Sequence, residues 1–454
     1  MSNRIVRIAN GQGFWGDSIE APVQLVEGGG IDYLTLDYLA EVTMSIMQRQ
    51  KEKNPEAGYA RDFVELIDRI LPQLMEKNIK VIANAGGVNS PAAAKALLKV
   101  AEKHNISGLK IGIIVGDDIL YSIDDLQAKG ATFANMENGE NFSDIKDKVK
   151  SANVYIGAEP IAKALDMGAH IVLAGRVTDP ALALGPMIHE FGWKMDDFHR
   201  LAMGTLAGHI TECGAQCTGG NYSRWWDIKD YAGIGYPVIE IEESGEFVIT
   251  KQKGTGGIVN LMSISEQLLY EMGDPNNYIS PDVVVDFTGV KIKEDGENRV
   301  KAMDVNGIEP TEFYKVSLSY FAGYKASGQL TVSGPRALDK AKLVAEIIWE
   351  RLKRAGYSFE ETSTEFLGVS PCDMEHPPKE FEVNGIVLRL GVRDEDRDKV
   401  VRFSKEIAPV ITSGPPGITG FAGGRPKPQE IIAYWPALIP KTLIKTSVHI
   451  VEEK

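Results

Sequence analysis

From the amino terminus to about residue 190, short β-branched runs alternate with longer stretches whose apolar residues recur at helical spacing. Arg4 to Ala9, Tyr33 to Asp37, Lys80 to Ala83, Lys110 to Val115 and His170 to Ala174 carry the strand pattern. Pro22 to Glu27, Asp62 to Lys77, Pro91 to His104 and Ala158 to Met167 carry the helical one. This rhythm predicts βαβ units on a mainly parallel sheet. The expected α/β domain spans residues 1–229, with an open, doubly wound sheet favoured over a barrel. After Asp227 the pattern changes to alternation around a Glu243-Ser244-Gly245-Glu246 turn, followed by a helical stretch from Ser265 to Met272. Further strands, a long helix from Leu338 to Ala355 and another near Glu395 to Ile407 predict an α+β domain over residues 230–454.

Length agrees with this division, because 454 residues exceed what one hydrophobic core usually serves. Charge narrows the partners: 49 basic against 63 acidic residues leave −14, with no basic stripe to follow a phosphate backbone, so nucleic acid is not expected. Three cysteines do not make a disulfide framework and point to a reducing compartment. The amino terminus has no apolar signal region and no run is long enough to span a bilayer, so a soluble, cytoplasmic protein without a membrane partner is expected. Association into a homo-oligomer is expected as well.

In parallel α/β folds ligands gather at the carboxyl ends of the strands. The residues that follow the predicted strands are Gly11 to Ser18, with Asp17; then Asp37 and Glu41; Asn84-Ala85-Gly86-Gly87; Gly116-Asp117-Asp118; and Gly175 to Pro180, with Arg176 and Asp179. Asp17, Asn84, Arg176 and Asp179 are therefore candidate substrate-binding residues. An arginine straight after an apolar strand suits a carboxylate or phosphate. Each has a plainer reading. Gly13 to Asp17 also fits a tight turn and lacks a dinucleotide-binding glycine pattern, and Asp179-Pro180 also fits a helix start.

The densest chemistry lies in Ala202 to Asp227, AMGTLAGHITECGAQCTGGNYSRWWD. Read as a helix, His209, Cys213 and Cys217 recur every four residues on one face, with Glu212 beside it. His209 and Cys217 would then be about 12 Å apart, too far to share a zinc ion, so no metal site is assigned. Glu212, His209 and Cys213 are the candidate acid, base and nucleophile, since imidazole and thiol are tuned across neutral pH by their neighbours. A buried helix with a satisfied histidine and inert cysteines is the plainer alternative. Gly219 and Gly220, and a second turn with Lys253, Gly256 and Gly257, offer backbone N–H groups to an anion. Ser413 to Glu430, rich in glycine and proline and carrying Phe421 and Arg425, is expected to be a shaped loop whose arginine meets an anionic group.

The stretches GFWGDS, DYLTLDYLAE, IANAGG, GAEPIAKAL, LAGRVTDPALALGP, GHITECGAQCTGGNY, KGTGGIV, PDVVVDFTGV and SGPPGITGFAGGRPKP occur in order along nearly the whole chain. In these the sequence resembles the AtuA-type acyclic terpene utilisation family. The resemblance implies catabolism of branched isoprenoid acids through coenzyme A thioesters, with no cofactor named. Some members of that family continue into a small ferredoxin-like domain; this chain stops at Lys454, so the domain is expected to be either absent or supplied by a separate partner protein. Relatives that carry an apolar residue at the position of Cys217 leave Glu212 and Cys213 as the stronger candidates. The expected function is a lyase or hydratase acting on a small branched carboxylic acid or its acyl-CoA thioester. The base would be Glu212 or His209, with glycine-turn N–H groups on the enolate oxygen. The alternative is a non-catalytic acyl-CoA-binding or scaffolding subunit of a carboxylase-associated complex.

Overall fold

The computed structural model describes residues 4–369, 383–420 and 423–452. It divides into two compact units, Met1–Ser319 with Tyr434–Lys454, and Tyr320–Ala433.

The first unit is built on a mixed ten-stranded sheet. Its centre is five parallel strands in the order Ile5–Gln12, Tyr33–Leu36, Lys80–Ala83, Ile171–Leu173 and Lys110–Val115. All four residues of Tyr33–Leu36 are buried, as a parallel strand covered on both faces requires. Helices Glu20–Gly28, Arg61–Lys77 and Ser90–Lys103 contribute Leu25, Phe63, Ile67, Leu71, Leu97 and Ala101 to the core formed with these strands. The expected strands and helices of this region are thus present.

Antiparallel strands extend the sheet on both sides. Pro237–Glu242 pairs with Ile5–Gln12, followed outward by Phe247–Lys251, Val300–Met303 and Lys291–Glu294; Ser447–Glu452 pairs with Lys110–Val115. The compact units therefore divide elsewhere than at the expected boundary near residue 230. The hairpin beyond that point completes the hydrogen bonding of Ile5–Gln12 instead of starting a separate core. The helix expected from Ser265 to Met272 runs earlier, Leu261–Leu269, because Asn260 caps it by accepting from Ser263 N–H.

In the second unit, Gly385–Asp394 lies between Glu361–Leu367 and the part Tyr324 to Ser333 of the long strand Phe313–Ser333, whose segment Leu330 to Val332 also pairs with Ile418–Gly420. Helices Ala337–Arg354 and Arg397–Glu406 bury Val344, Ile348, Leu352, Val400 and Phe403 against Leu330, Leu388 and Leu390.

Candidate functional site

Two local features shape the carboxyl ends of the central strands. The first is a break in register between Asn10 and Gln12, where Gly11 sits so close to its neighbours that an added Cβ would lie 3.0 Å from both Leu34 and Pro22. The second is the helix Phe198–Thr211. Asp197 caps it by accepting from Arg200 N–H, and every residue from Leu201 to Thr211 is buried. Small residues let it approach closely: a Cβ at Gly204 would lie 2.5 Å from Leu184, and one at Gly208 would lie 2.6 Å from Pro180. The end of the helix consequently arrives beside the loop that holds Arg176 and Asp179.

Helical geometry stops at Thr211, and a short 3-10 turn, Gly214–Thr218, follows. Gly214 has φ +58, a left-handed conformation that reverses the chain. The expected common face of His209, Cys213 and Cys217 is therefore broken. Cys217 is fully buried, while Cys213 is half-buried at the cleft. Gly13 passes over this turn so tightly that a Cβ there would sit 2.6 Å from the Cys213 carbonyl carbon.

These elements enclose a cleft of about 520 Å³. Asp17, Asp37, Arg176, Asp179, Glu212, Cys213, Gly220, Tyr236 and Glu271 are among the residues that line it. The lining carries five carboxyl groups and one guanidinium. Arg176, 3% exposed, donates from Nη1 to Leu39 O (2.7 Å), pairs with Asp179 Oδ1 (3.0 Å), and places its guanidinium 4.2 Å from the centre of the Tyr155 ring. The helix after it starts at Ala181 with no side-chain cap. The Asp179 carboxylate pairs with Arg176 and does not serve as an N-cap.

Glu212 is the most unusual group. Its Oε1 lies 3.3 Å from His209 Nδ1, and its Oε2 is buried with no hydrogen-bond partner among the described residues. Burial, reinforced by the charges of Asp179 and Glu271, pushes its carboxyl up to about 7 despite the opposing effect of His209. Burial alone would lower His209, but the Glu212 carboxylate, together with the Leu268 carbonyl and the Glu271 charge, raises the imidazole above its ordinary value. His209 stands behind Glu212. It is stacked on Phe287, tilted against Tyr278, and its Nε2 is 3.3 Å from Leu268 O. Asp37 is also pushed up to about 7, by burial first and the Asp179 charge second, with Arg176 opposing.

The other candidates occupy supporting positions. Asn84 lies behind Asp37, donating to its Oδ1 (2.7 Å) and accepting from Tyr38 N–H (2.7 Å). Asp117 accepts from the Arg176 N–H (2.7 Å) and so fixes the strand end. Asp17 accepts from Gly13 N–H (3.0 Å) and from the Tyr236 hydroxyl (2.5 Å). The amides of Gly219, Gly220 and Gly256 are already engaged within the protein, which corrects the expectation that they are open to an anion. Gly219 N–H donates to Gln216 O, Gly220 N–H to Ala215 O and Gly256 N–H to Gly233 O. Gly256 and Gly257 serve close packing instead, since a Cβ at Gly257 would lie 2.4 Å from Thr218 O. Lys253 lines a different cavity, with Arg7 and Arg299. Arg425 is exposed in the second unit, whereas the lining residues of the cleft all belong to the first; Phe421 lies outside the described residues. Among the described residues, no group of three or more His, Cys, Asp or Glu is placed to hold a metal ion.

Tyr236, Tyr270 and Glu271 line the cleft without having been legible as site residues. Glu271 has φ +52, a left-handed conformation costly for a non-glycine residue.

Fold and cleft together define a mixed α/β protein with a carboxyl-rich cleft beside the ends of its parallel strands. The chain belongs to the acyclic terpene utilisation family, whose model, described as acyclic terpene utilisation family protein AtuA, matches residues 6–450. No curated protein and no solved structure matches it. No helix among the described residues is long and apolar enough to cross a membrane.

Proposed function

We propose that the chain is a catabolic enzyme that moves a proton at the carbon beside an acyl carbonyl, as in a lyase or hydratase. The observation that carries this reading is Glu212: a cleft-lining carboxyl with one buried, unpartnered oxygen and a proton affinity raised to about 7. A general base works best when its proton affinity is near the working pH. Glu212 accepts the proton from carbon, His209 holds its carboxylate in place from behind, and the fixed charge of Arg176 balances the negative charge that develops on the carbonyl oxygen. Asp37, held protonated near neutrality, supplies the proton that lets a β-hydroxyl leave as water. Two carboxyls raised together, each partly by the charge of Asp179, suit such a division of roles.

The charge balance also favours one form of substrate. A free carboxylate brings another negative charge to a cleft with five carboxyls and a single guanidinium already paired with Asp179. A thioester carbonyl is neutral until its α-proton leaves. We therefore favour an acyl thioester over the free acid.

The test is α-proton exchange, followed by NMR in deuterated buffer with the neutral N-acetylcysteamine thioester of a branched acid. Wild-type protein should catalyse exchange, and Glu212→Gln should lower it by about 10²- to 10⁴-fold while remaining folded. Exchange at the wild-type rate in Glu212→Gln would remove Glu212 from the role of base.

A further inference from the structure

A second cavity of about 410 Å³ adjoins the cleft and differs from it in character. Met136, Ile279, Phe313 and Leu438 are 48%, 56%, 45% and 41% exposed, large apolar residues converging on one rim from four separate stretches of chain. Deeper in, Tyr155, Pro180 and Tyr278 form its wall. Several of its polar groups are turned toward the protein. The Ser280 hydroxyl donates to Val283 O (2.7 Å) and the Thr311 hydroxyl donates to Phe313 O (3.2 Å); Lys315 is a charged residue within the lining, its Nζ 5.0 Å from the centre of the Tyr155 ring. A surface of this kind gains little from a polar ligand and much from an apolar one.

Three relationships tie this cavity to the cleft. Asp179 lines both. Tyr155, in the apolar wall, carries the Arg176 guanidinium against its ring. Tyr278, also in that wall, packs against His209, the partner of Glu212. The Arg176–Asp179 pair therefore stands between an acidic compartment suited to proton transfer and an apolar compartment beside it.

We infer that the apolar cavity is the acyl-chain subsite of this protein. It takes the hydrocarbon tail of a substrate whose carbonyl end lies in the Glu212 cleft. The inference rests on the reading of that cleft as the reacting compartment, and it adds a substrate class: acyl thioesters with a hydrocarbon chain long enough to extend past Asp179. The exposed rim is the mouth through which the chain enters.

The experiment is a titration of wild-type protein, Ile279→Asp and Leu438→Asp with the N-acetylcysteamine thioesters of butanoate, hexanoate and octanoate. Both substitutions are at exposed rim positions, so folding should survive them, and circular dichroism checks this. In wild-type protein the dissociation constant should fall by up to about fourfold for each added methylene. In the two variants the loss of affinity should grow along the series and reach about tenfold for the octanoyl compound, flattening the dependence on chain length. No chain-length dependence in wild-type protein, or the same dependence in all three proteins, would overturn the subsite. If the variants only split a homodimer and keep the wild-type dependence, the rim is a contact between copies and the subsite is likewise overturned. The catalytic reading fails separately: chain-length dependence with unchanged proton exchange in Glu212→Gln would keep the subsite and remove the base.

Discussion

Gly208 lies directly against Pro180, leaving 2.6 Å between the position of an added Cβ and the proline Cα. Glu212, one helical turn beyond Gly208, is brought beside Asp179 by this contact, and its backbone N–H donates to Gly208 O (2.9 Å). The three atoms nearest that position are all Pro180 backbone or ring atoms that cannot swing away. Gly208→Ala should therefore cost about 1–3 kcal/mol of stability through overpacking and also reduce turnover, because relief of the clash moves Glu212. Chemical denaturation and proton exchange measured on the same samples check this. Lost stability with unchanged exchange would show that Glu212 does not depend on this contact.

The pH profile separates Glu212 from His209. As a base Glu212 must be ionised, so exchange should rise with pH through an apparent value near 7. His209 opposes the upward shift of Glu212 by pairing with the carboxylate. His209→Asn removes that help, leaves burial and Asp179 in place, and should move the rising limb to higher pH by on the order of one unit. A purely structural histidine would lower the rate without moving the limb.

Asp37 gives a prediction about stability. Its carboxyl is raised to about 7 in the folded protein, so between the ordinary carboxylate range and that value the folded state holds more protons than the unfolded one. On this account stability falls as pH rises across the interval, and the full penalty applies above it. Asp37→Asn keeps an oxygen for the Leu39 N–H and cannot ionise. Its melting temperature relative to wild type should accordingly be more favourable at about pH 8 than at about pH 5. An equal difference at both would mean that the Asp37 carboxyl is ionised throughout.

Much of the framework was legible because it depends on local patterns. Strands such as Lys80–Ala83 and Lys110–Val115, and the helices between them, follow from residue spacing, and the cleft-lining residues Arg176, Asp179 and Glu212 stand out by type and place. The rest depends on contacts that spacing does not encode. Tyr236 meets Asp17 across 219 residues, just before a strand that pairs with the first one, and this placement is invisible when residue 230 is read as a boundary. Regular helical spacing puts Cys217 on the face of His209, but one left-handed glycine at 214 decides otherwise. The apolar cavity is assembled from residues as distant as Met136 and Leu438, so no single stretch of sequence displays it.

Cys213 provides the last test, because proximity to Glu212 and His209 makes it look like an activated nucleophile. Activation requires a thiolate, which nearby cations stabilise and burial disfavours. Here burial raises the thiol well above its ordinary value, and the charges of Glu212, Glu271 and Asp179 raise it further, with only a contact from Gln267 acting the other way. Burial, reinforced by these charges, thus keeps it protonated at neutral pH. Cys213→Ala should retain proton exchange within about tenfold of wild type, in contrast to the 10²- to 10⁴-fold loss expected of Glu212→Gln. Wild-type protein should also react with iodoacetamide at this position more slowly than an exposed thiol does. A loss in Cys213→Ala as large as that in Glu212→Gln, together with rapid alkylation blocked by the thioester probe, would establish a covalent route through sulfur and displace Glu212 from the central role.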